Sequence, residues 1–193
     1  TQGVYKAVQV ARTAALIAWS TVAHSDRFGG LIFSETEHVE LRPRLGRRAA
    51  LRLLQALSRE RIWELGQLTE PKSGAAERAL ARLARVARPG SLIFLLSDFR
   101  NLSFEFERRL RQLAGYCDLF LVHFFDPVEK DLPPPGRYRI KLGGRTMAID
   151  TGSETTRRGY RKQFEQRQKK LKQLLHQVHT RLLITNIKLP LLY

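Results

Sequence analysis

Apolar positions recur along this chain at two periods, and the switches between them mark out its elements. Val4, Val8, Ala11, Ala15, Ala18, Trp19 and Val22 fall near 3.6-residue spacing and predict an opening helix, which Asp26-Arg27-Phe28-Gly29-Gly30 breaks. Gly30 to Ser34 and His38 to Leu41 then read as two strands joined by the polar turn Glu35-Thr36-Glu37, a hairpin suited to a sheet edge. A helix is expected after Gly46 to about Ser58, with Leu51, Leu54 and Leu57 inward and Arg48, Arg52 and Arg59 outward. Gly66 to Ser73 reads as a loop, and Gly74 to Ala87 as a helix stopped by Pro89-Gly90.

The centre of the chain changes character. Ser91-Leu92-Ile93-Phe94-Leu95-Leu96-Ser97-Asp98 is a short, continuous apolar run closed by a carboxylate, the form of a buried parallel strand. Asp118 to Phe125 repeats the form and ends at Asp126. Between them Ser103 can cap a helix with Phe106, Leu110 and Leu113 as its inner stripe, ended by Gly115. Asp126 to Gly136 holds Pro127, Pro133, Pro134 and Pro135 and reads as a loop without helix or central strand. Tyr138 to Leu142 and Thr146 to Ile149 flank the turn Gly143-Gly144-Arg145 as a second hairpin. A long last helix begins near Ser153 or Thr155 with Tyr160, Phe164, Leu171, Leu174, Leu175 and Val178 on one face, and Leu182 to Thr185 returns as a short strand. Strands alternating with helices imply an α/β domain with buried parallel strands. In such sheets ligands bind beyond the carboxyl ends of the strands, which makes Asp98 the first candidate for a site.

Composition narrows the function. The 193 residues fit one domain spanning 1–193, and 43% hydrophobic with 27% charged residues is ordinary for a folded chain. The formal net charge of +16 is not ordinary, and it favours an acidic protein surface, nucleic acid or anionic lipid as partner. Arg42, Arg44, Arg47 and Arg48 cluster around one loop and helix start, Arg78, Arg82 and Arg85 form a helical stripe, and Arg157 to Lys172 adds a third set. Aromatic residues interleaved with these sets are few, so an acidic protein is preferred and nucleic acid is the alternative. The lone Cys117 excludes an intrachain disulfide and favours a cytoplasmic setting. No run is long and apolar enough to cross a membrane, and the first residues, which lack Met, have no signal-peptide form. The N-terminus therefore reads as a cut end.

Motifs for chemistry are missing. There is no Gly-x-Ser-x-Gly elbow, no phosphate-binding Gly-x-x-x-x-Gly-Lys-Ser/Thr loop, no Gly-x-Gly-x-x-Gly after a strand, and no cysteine with an identifiable base. A non-enzymatic role is expected. Asp98 serves first as a helix cap or strand-to-helix anchor and only second as a ligand, Asp126 before Pro127 as turn initiator, and His176 and His179 as cations near a helix C-terminus.

The ordered set Asp26-Arg27-Phe28-Gly29-Gly30-Leu31-Ile32-Phe33, Leu41-Arg42-Pro43-Arg44-Leu45-Gly46-Arg47-Arg48 with Leu51 to Leu54, Leu95-Leu96-Ser97-Asp98-Phe99, Phe125-Asp126-Pro127, and Ile149-Asp150-Thr151 with Tyr160 resembles DUF family 58. That bacterial family has a von Willebrand factor A-like fold, so the resemblance implies an α/β domain with a doubly wound, mainly parallel sheet flanked by helices. The resemblance implies that the chain acts with a MoxR-type AAA+ ATPase in chaperone-like or complex-assembly work. It also implies that the first central strand lies upstream of Thr1. A metal-ion-dependent adhesion site in this fold needs an Asp-x-Ser-x-Ser loop, a Thr and an Asp. Only the last is matched, by Asp98; Gly46-Arg47 stands where the Thr belongs, and the first loop lies outside the chain. Metal binding here is therefore expected to be weak or absent, with Mg2+ a cofactor for the full-length protein. The partner-binding face implied is Asp98, Phe99 and Arg100 together with Arg44, Arg47 and Arg48.

Overall fold

The computed structural model describes residues 6–34, 37–59, 74–100, 102–142, 145–177 and 181–186. They form a mixed α/β protein that divides into two compact units, one of Ala7–Ala87 and one of Thr1–Lys6 with Arg88–Tyr193.

In the unit Ala7–Ala87, α1 (Lys6–Ala23, whose first residue belongs to the other unit) precedes a hairpin of β1 (Arg27–Phe33) and β2 (His38–Leu45). The strands pair antiparallel from Phe33↔His38 to Arg27↔Leu45 and are longer than the apolar alternation indicated. A bulge between Phe28 and Gly30 carries the ladder past Pro43. A Cβ on Gly29 would stand 2.8 Å from the Leu41 carbonyl oxygen and 2.9 Å from Pro43 Cγ, so only glycine fits this crossing. The turn residues Glu35 and Thr36 lie outside the described residues.

Helix α2 (Arg47–Leu57) buries Ala49, Ala50, Leu53 and Ala56, which corrects the expected Leu51, Leu54, Leu57 face. Leu51 is 53% exposed, while Ala18, Ala50 and Leu53 form the core against Phe28, Ile32 and Leu41. The small residues let α1 and the hairpin approach closely, which turns Leu51 outward and leaves Leu54 half-buried, while Leu57 packs against this core as expected. Helix α3 (Ala75–Val86) buries Ala79 and Leu80 and leaves Arg78, Arg82 and Arg85 exposed. The expected loop at Gly66 to Ser73 lies outside the described residues.

The second unit is built on β3 (Leu92–Ser97), β4 (Asp118–Phe125) and β7 (Arg181–Asn186), parallel and in the order β3-β4-β7. Parallel neighbours need crossover segments, and α4 (Phe104–Ala114) supplies the first. Central strand β4 buries Leu119, Leu121, Val122 and Phe124, including consecutive residues, as expected of a strand covered on both faces. Phe106, Leu110 and Leu113 of α4 are buried as the stripe indicated, and Ser103 Oγ accepts from the Phe106 N–H at 3.1 Å as its cap. Helix α6 (Glu154–Gln177) adds Phe164, Leu171, Leu174 and Leu175; Val178 lies outside the described residues. Strands β5 (Arg137–Leu142) and β6 (Arg145–Asp150) form the second hairpin, antiparallel, with Gly143 and Gly144 outside the described residues.

The segment from Asp126 is not all loop. A one-turn helix, α5 (Pro127–Lys130), follows β4, because proline is suited to the first helical position where its missing N–H costs nothing. The remaining Pro-rich stretch is tied down by buried Thr151, whose Oγ1 donates to the Pro134 and Gly136 carbonyls at 2.9 and 3.0 Å, and by Arg157, which donates to the Leu132 and Pro133 carbonyls. The described strands thus fall into three sheets, and the one parallel sheet has three strands.

Candidate partner-binding site

Two places carry the residues that the sequence singles out. The first is the carboxyl end of the parallel sheet. The register pairs Ser97 with His123, which brings Asp98, one residue beyond, to the same sheet end as His123. The chain turns there through Phe99, a non-glycine residue at φ 44°, whose N–H donates to Ser97 Oγ at 3.2 Å. The turn sends the Phe99 side chain inward: it is 7% exposed and stands edge-on to Phe106 at 6.3 Å and tilted to His123 at 6.1 Å. Phe99 therefore packs in the core and offers no ring to a partner.

Asp98 is held in a square of alternating charge. Its Oδ2 meets Lys6 Nζ at 3.0 Å and Arg100 Nε at 2.9 Å, while Glu129 Oε1 meets the same Lys6 Nζ at 2.5 Å and Arg100 Nη2 at 3.2 Å. Burial pushes the Glu129 carboxyl upward, but the hydrogen bond and charge of Lys6, the charge of Arg100 and the Asp126 N–H outweigh it and hold it below its ordinary value. Two anions and two cations leave no formal charge over. Such a site does not suit a hard divalent cation: two basic groups already occupy the one matching carboxylate and would repel the ion. Among the described residues no group of three or more His, Cys, Asp or Glu side chains gathers to hold a metal.

Glu129 and Lys6 are the members that sequence reasoning missed. The signal for Glu129 was present in Asp126-Pro127-Val128-Glu129, the N-cap to third-position spacing of a capping box with proline between. The Glu129 N–H donates to the Asp126 carbonyl at 2.8 Å, and the Asp126 N–H reaches Glu129 Oε1 at 3.4 Å. Asp126 thus starts α5, and the acid that joins Asp98 is the one three residues later.

His123 was also passed over. It is buried, stacked on Phe125 at 5.6 Å, with Gln168 Nε2 at 3.1 Å from its Nδ1. Burial lowers its pKa, and a hydrogen bond to the Asp98 backbone with the charges of Asp98 and Glu129 opposes this without overcoming it. The cavity beside it, lined by Asp98, Arg100, Glu129, Arg167 and Gln168 among others, encloses about 20 Å³, room for one water. It is too small for a substrate. Cys117 is buried and free, and burial raises its thiol pKa, so it lacks the character of a nucleophile.

The second place is the start of α2, in the other unit. Arg44 stands one residue before the end of β2, Gly46 turns with φ 80°, and Arg47 and Arg48 open the helix; all three arginines are exposed. The helix has no side-chain cap and no acid in its first turn, although its N-terminus is the positive end of the backbone dipole. None of the three arginines makes an ion pair among the described residues. Elsewhere the basic residues are often tied: Arg158 to Glu154, Arg161 to Asp131 and Lys170 to Glu107. Among the described residues no helix is long and apolar enough to cross a membrane.

A family model described as "Protein of unknown function DUF58" matches residues 1–170. Solved structures similar to this chain include the conserved hypothetical protein BatB from Bacteroides thetaiotaomicron, with 15% identity, a TM-score of 0.48 and 88% of each chain covered. Another is an aerotolerance-related membrane protein from Bacteroides fragilis NCTC 9343, with 13% identity, a TM-score of 0.46 and the same coverage. No curated protein matches significantly.

Proposed function

The chain belongs to the DUF58 family, and from that premise we propose that it is a non-enzymatic interaction domain that works in the cytoplasm with a MoxR-type AAA+ ATPase, in chaperone-like or complex-assembly work. The parallel strands β3, β4 and β7 are read as part of a doubly wound sheet of von Willebrand factor A type. The observation that carries the reading is the exposed arginine group at Arg44, Arg47 and Arg48, with no ion pair among the described residues, on either side of the turn into an uncapped helix start. Concentrated positive charge in that position lowers the stability of its own helix, which makes sense where an acidic partner supplies the missing anions. Asp98 and Arg100 contribute by shaping the sheet end rather than by holding a metal.

Capture of the cognate ATPase by the immobilised chain tests the reading, with R47E/R48E expected to abolish it. Equal capture by the double variant overturns the role of these arginines. The alternative, a nucleic-acid-binding module, draws on exposed Lys162, Lys169 and Lys172 of α6. Titration with a generic DNA duplex over a salt series separates the two: a steep salt slope with affinity retained near physiological salt favours the alternative.

A further inference from the structure

An open groove of about 380 Å³ lies in the second unit, lined by Phe99, Arg100, Leu102, Ser103, Arg167 and Lys170. Two of its three cations are already engaged. Arg100 is held by Asp98 and Glu129, and Lys170 Nζ donates to the Leu102 carbonyl at 2.8 Å and meets Glu107 at 3.0 Å. Arg167 differs from both. It lines the groove and the small cavity beside His123, it makes no ion pair among the described residues, and its Nε is buried with no hydrogen-bond partner. Buried donors in folded proteins are nearly always satisfied, so a half-buried guanidinium at the wall of an open groove, whose Nε finds no acceptor among the described residues, is one the fold has not committed to an anion of its own.

The chemistry of an anion it could take follows from the walls. A guanidinium presents a planar fork that matches a carboxylate through two parallel hydrogen bonds. The adjoining Leu102 is half-buried and leaves apolar surface for a neighbouring aliphatic side chain. A nucleic-acid strand would want an aromatic face for its bases, and the one ring in the lining, Phe99, is buried against Phe106 and His123. We propose that this groove takes an acidic side chain of a protein partner, its carboxylate on Arg167 and a flanking aliphatic residue against Leu102. The inference rests on the proposed function, since it names the partner's recognised group.

The probe is a fluorescein-labelled peptide alternating Leu and Glu, followed by fluorescence anisotropy at physiological salt, beside the same peptide with Gln for Glu. The expected results are binding that is lost with the Gln peptide and is weakened about tenfold by Arg167→Gln, the scale of one charge-assisted pair. Arg158→Gln, which removes an exposed charge of the same helix outside the groove, is expected to change affinity less than twofold. Should Arg167→Gln not fold, the comparison of the two peptides on the unaltered chain decides the matter. Equal weakening by Arg158→Gln, indifference to the Glu-to-Gln change, or no peptide binding at all overturns the proposal. If the ATPase is captured and the peptide results fail, the groove alone is wrong; if the peptide results hold and the ATPase is not captured, the broader reading is wrong and the groove stands.

Discussion

The sheet end at Asp98 and the helix start at Arg47 are both crowded with charge, yet they handle it in opposite ways. At the sheet end two carboxylates and two cations close on one another, with Glu129 18% and Lys6 24% exposed and Arg100 53%, so the charge is balanced by the fold's own side chains. At the helix start three arginines stand in solvent without a counter-ion among the described residues. The first arrangement holds a turn in place. The second is available to a partner, and the contrast shows that a strand-end carboxylate is a poor guide to function until its neighbours are known.

The largest effect should come from removing what underlies the sheet end. Leu121 is fully buried in central strand β4, and Leu121→Ala is expected to cost roughly 2–5 kcal/mol in denaturant unfolding, by lost burial plus the cavity left behind. Truncation of the 62% exposed Leu45, next to the arginine group, should change stability by no more than about 0.5 kcal/mol. Comparable losses would erase the distinction between a built sheet end and a solvated loop.

Glu129→Gln should come next. It leaves Lys6 and Arg100 facing each other across a single carboxylate, at an expected cost of about 1–3 kcal/mol, whereas R47E/R48E should leave the melting temperature nearly unchanged. A neutral Glu129→Gln would mean that the charge square is solvated and holds nothing.

The pH dependence resolves the sheet end further. His123 has a folded pKa below its ordinary 6.5, so the unfolded chain takes up the proton first, and stability falls as pH drops through that value. Glu129, also depressed, contributes stability above its ordinary 4.5 that is lost as pH falls through its lower folded pKa. His123→Gln should therefore flatten the upper part of the acid limb and leave the lower part intact. A profile unchanged by His123→Gln would remove the buried histidine from the account.

The smallest expected effect is that of Mg2+. Millimolar Mg2+ should not move the melting temperature, because Lys6 and Arg100 hold the Asp98 carboxylate; a rise that Asp98→Asn abolishes would restore the metal reading.

Much of this architecture was legible in the pattern of residues. β4 begins and ends where its apolar run does, the α4 stripe of Phe106, Leu110 and Leu113 is buried, and Ser103 caps as its type and place suggest. Continuous apolar runs and caps are local signals. The α2 face differs in part because helical periodicity locates a stripe by hydrophobicity, whereas the core takes Ala50 and Leu53 beside Ala18, with Leu53 closing on Gly30, and keeps only Leu57 of the expected stripe. The site was legible only in part. Asp98 could be placed at a strand end from sequence, but Lys6, ninety-two residues away, could not, since nothing local marks which lysine a fold will bring to a carboxylate. Arg44, Arg47 and Arg48 were visible as a cluster, and the structure adds that they are exposed and lack an ion pair among the described residues.

The most direct measurement sets a charge change in each of the two regions side by side. Affinity for the cognate AAA+ ATPase is measured for the unaltered chain, for R47E/R48E and for Asp98→Asn, each shown to be folded. The account expects R47E/R48E to lose at least about tenfold in affinity, the scale of one charge-assisted contact, and Asp98→Asn to bind within about twofold. Retained binding by R47E/R48E together with loss in Asp98→Asn would contradict it, placing the working charge at the sheet end after all.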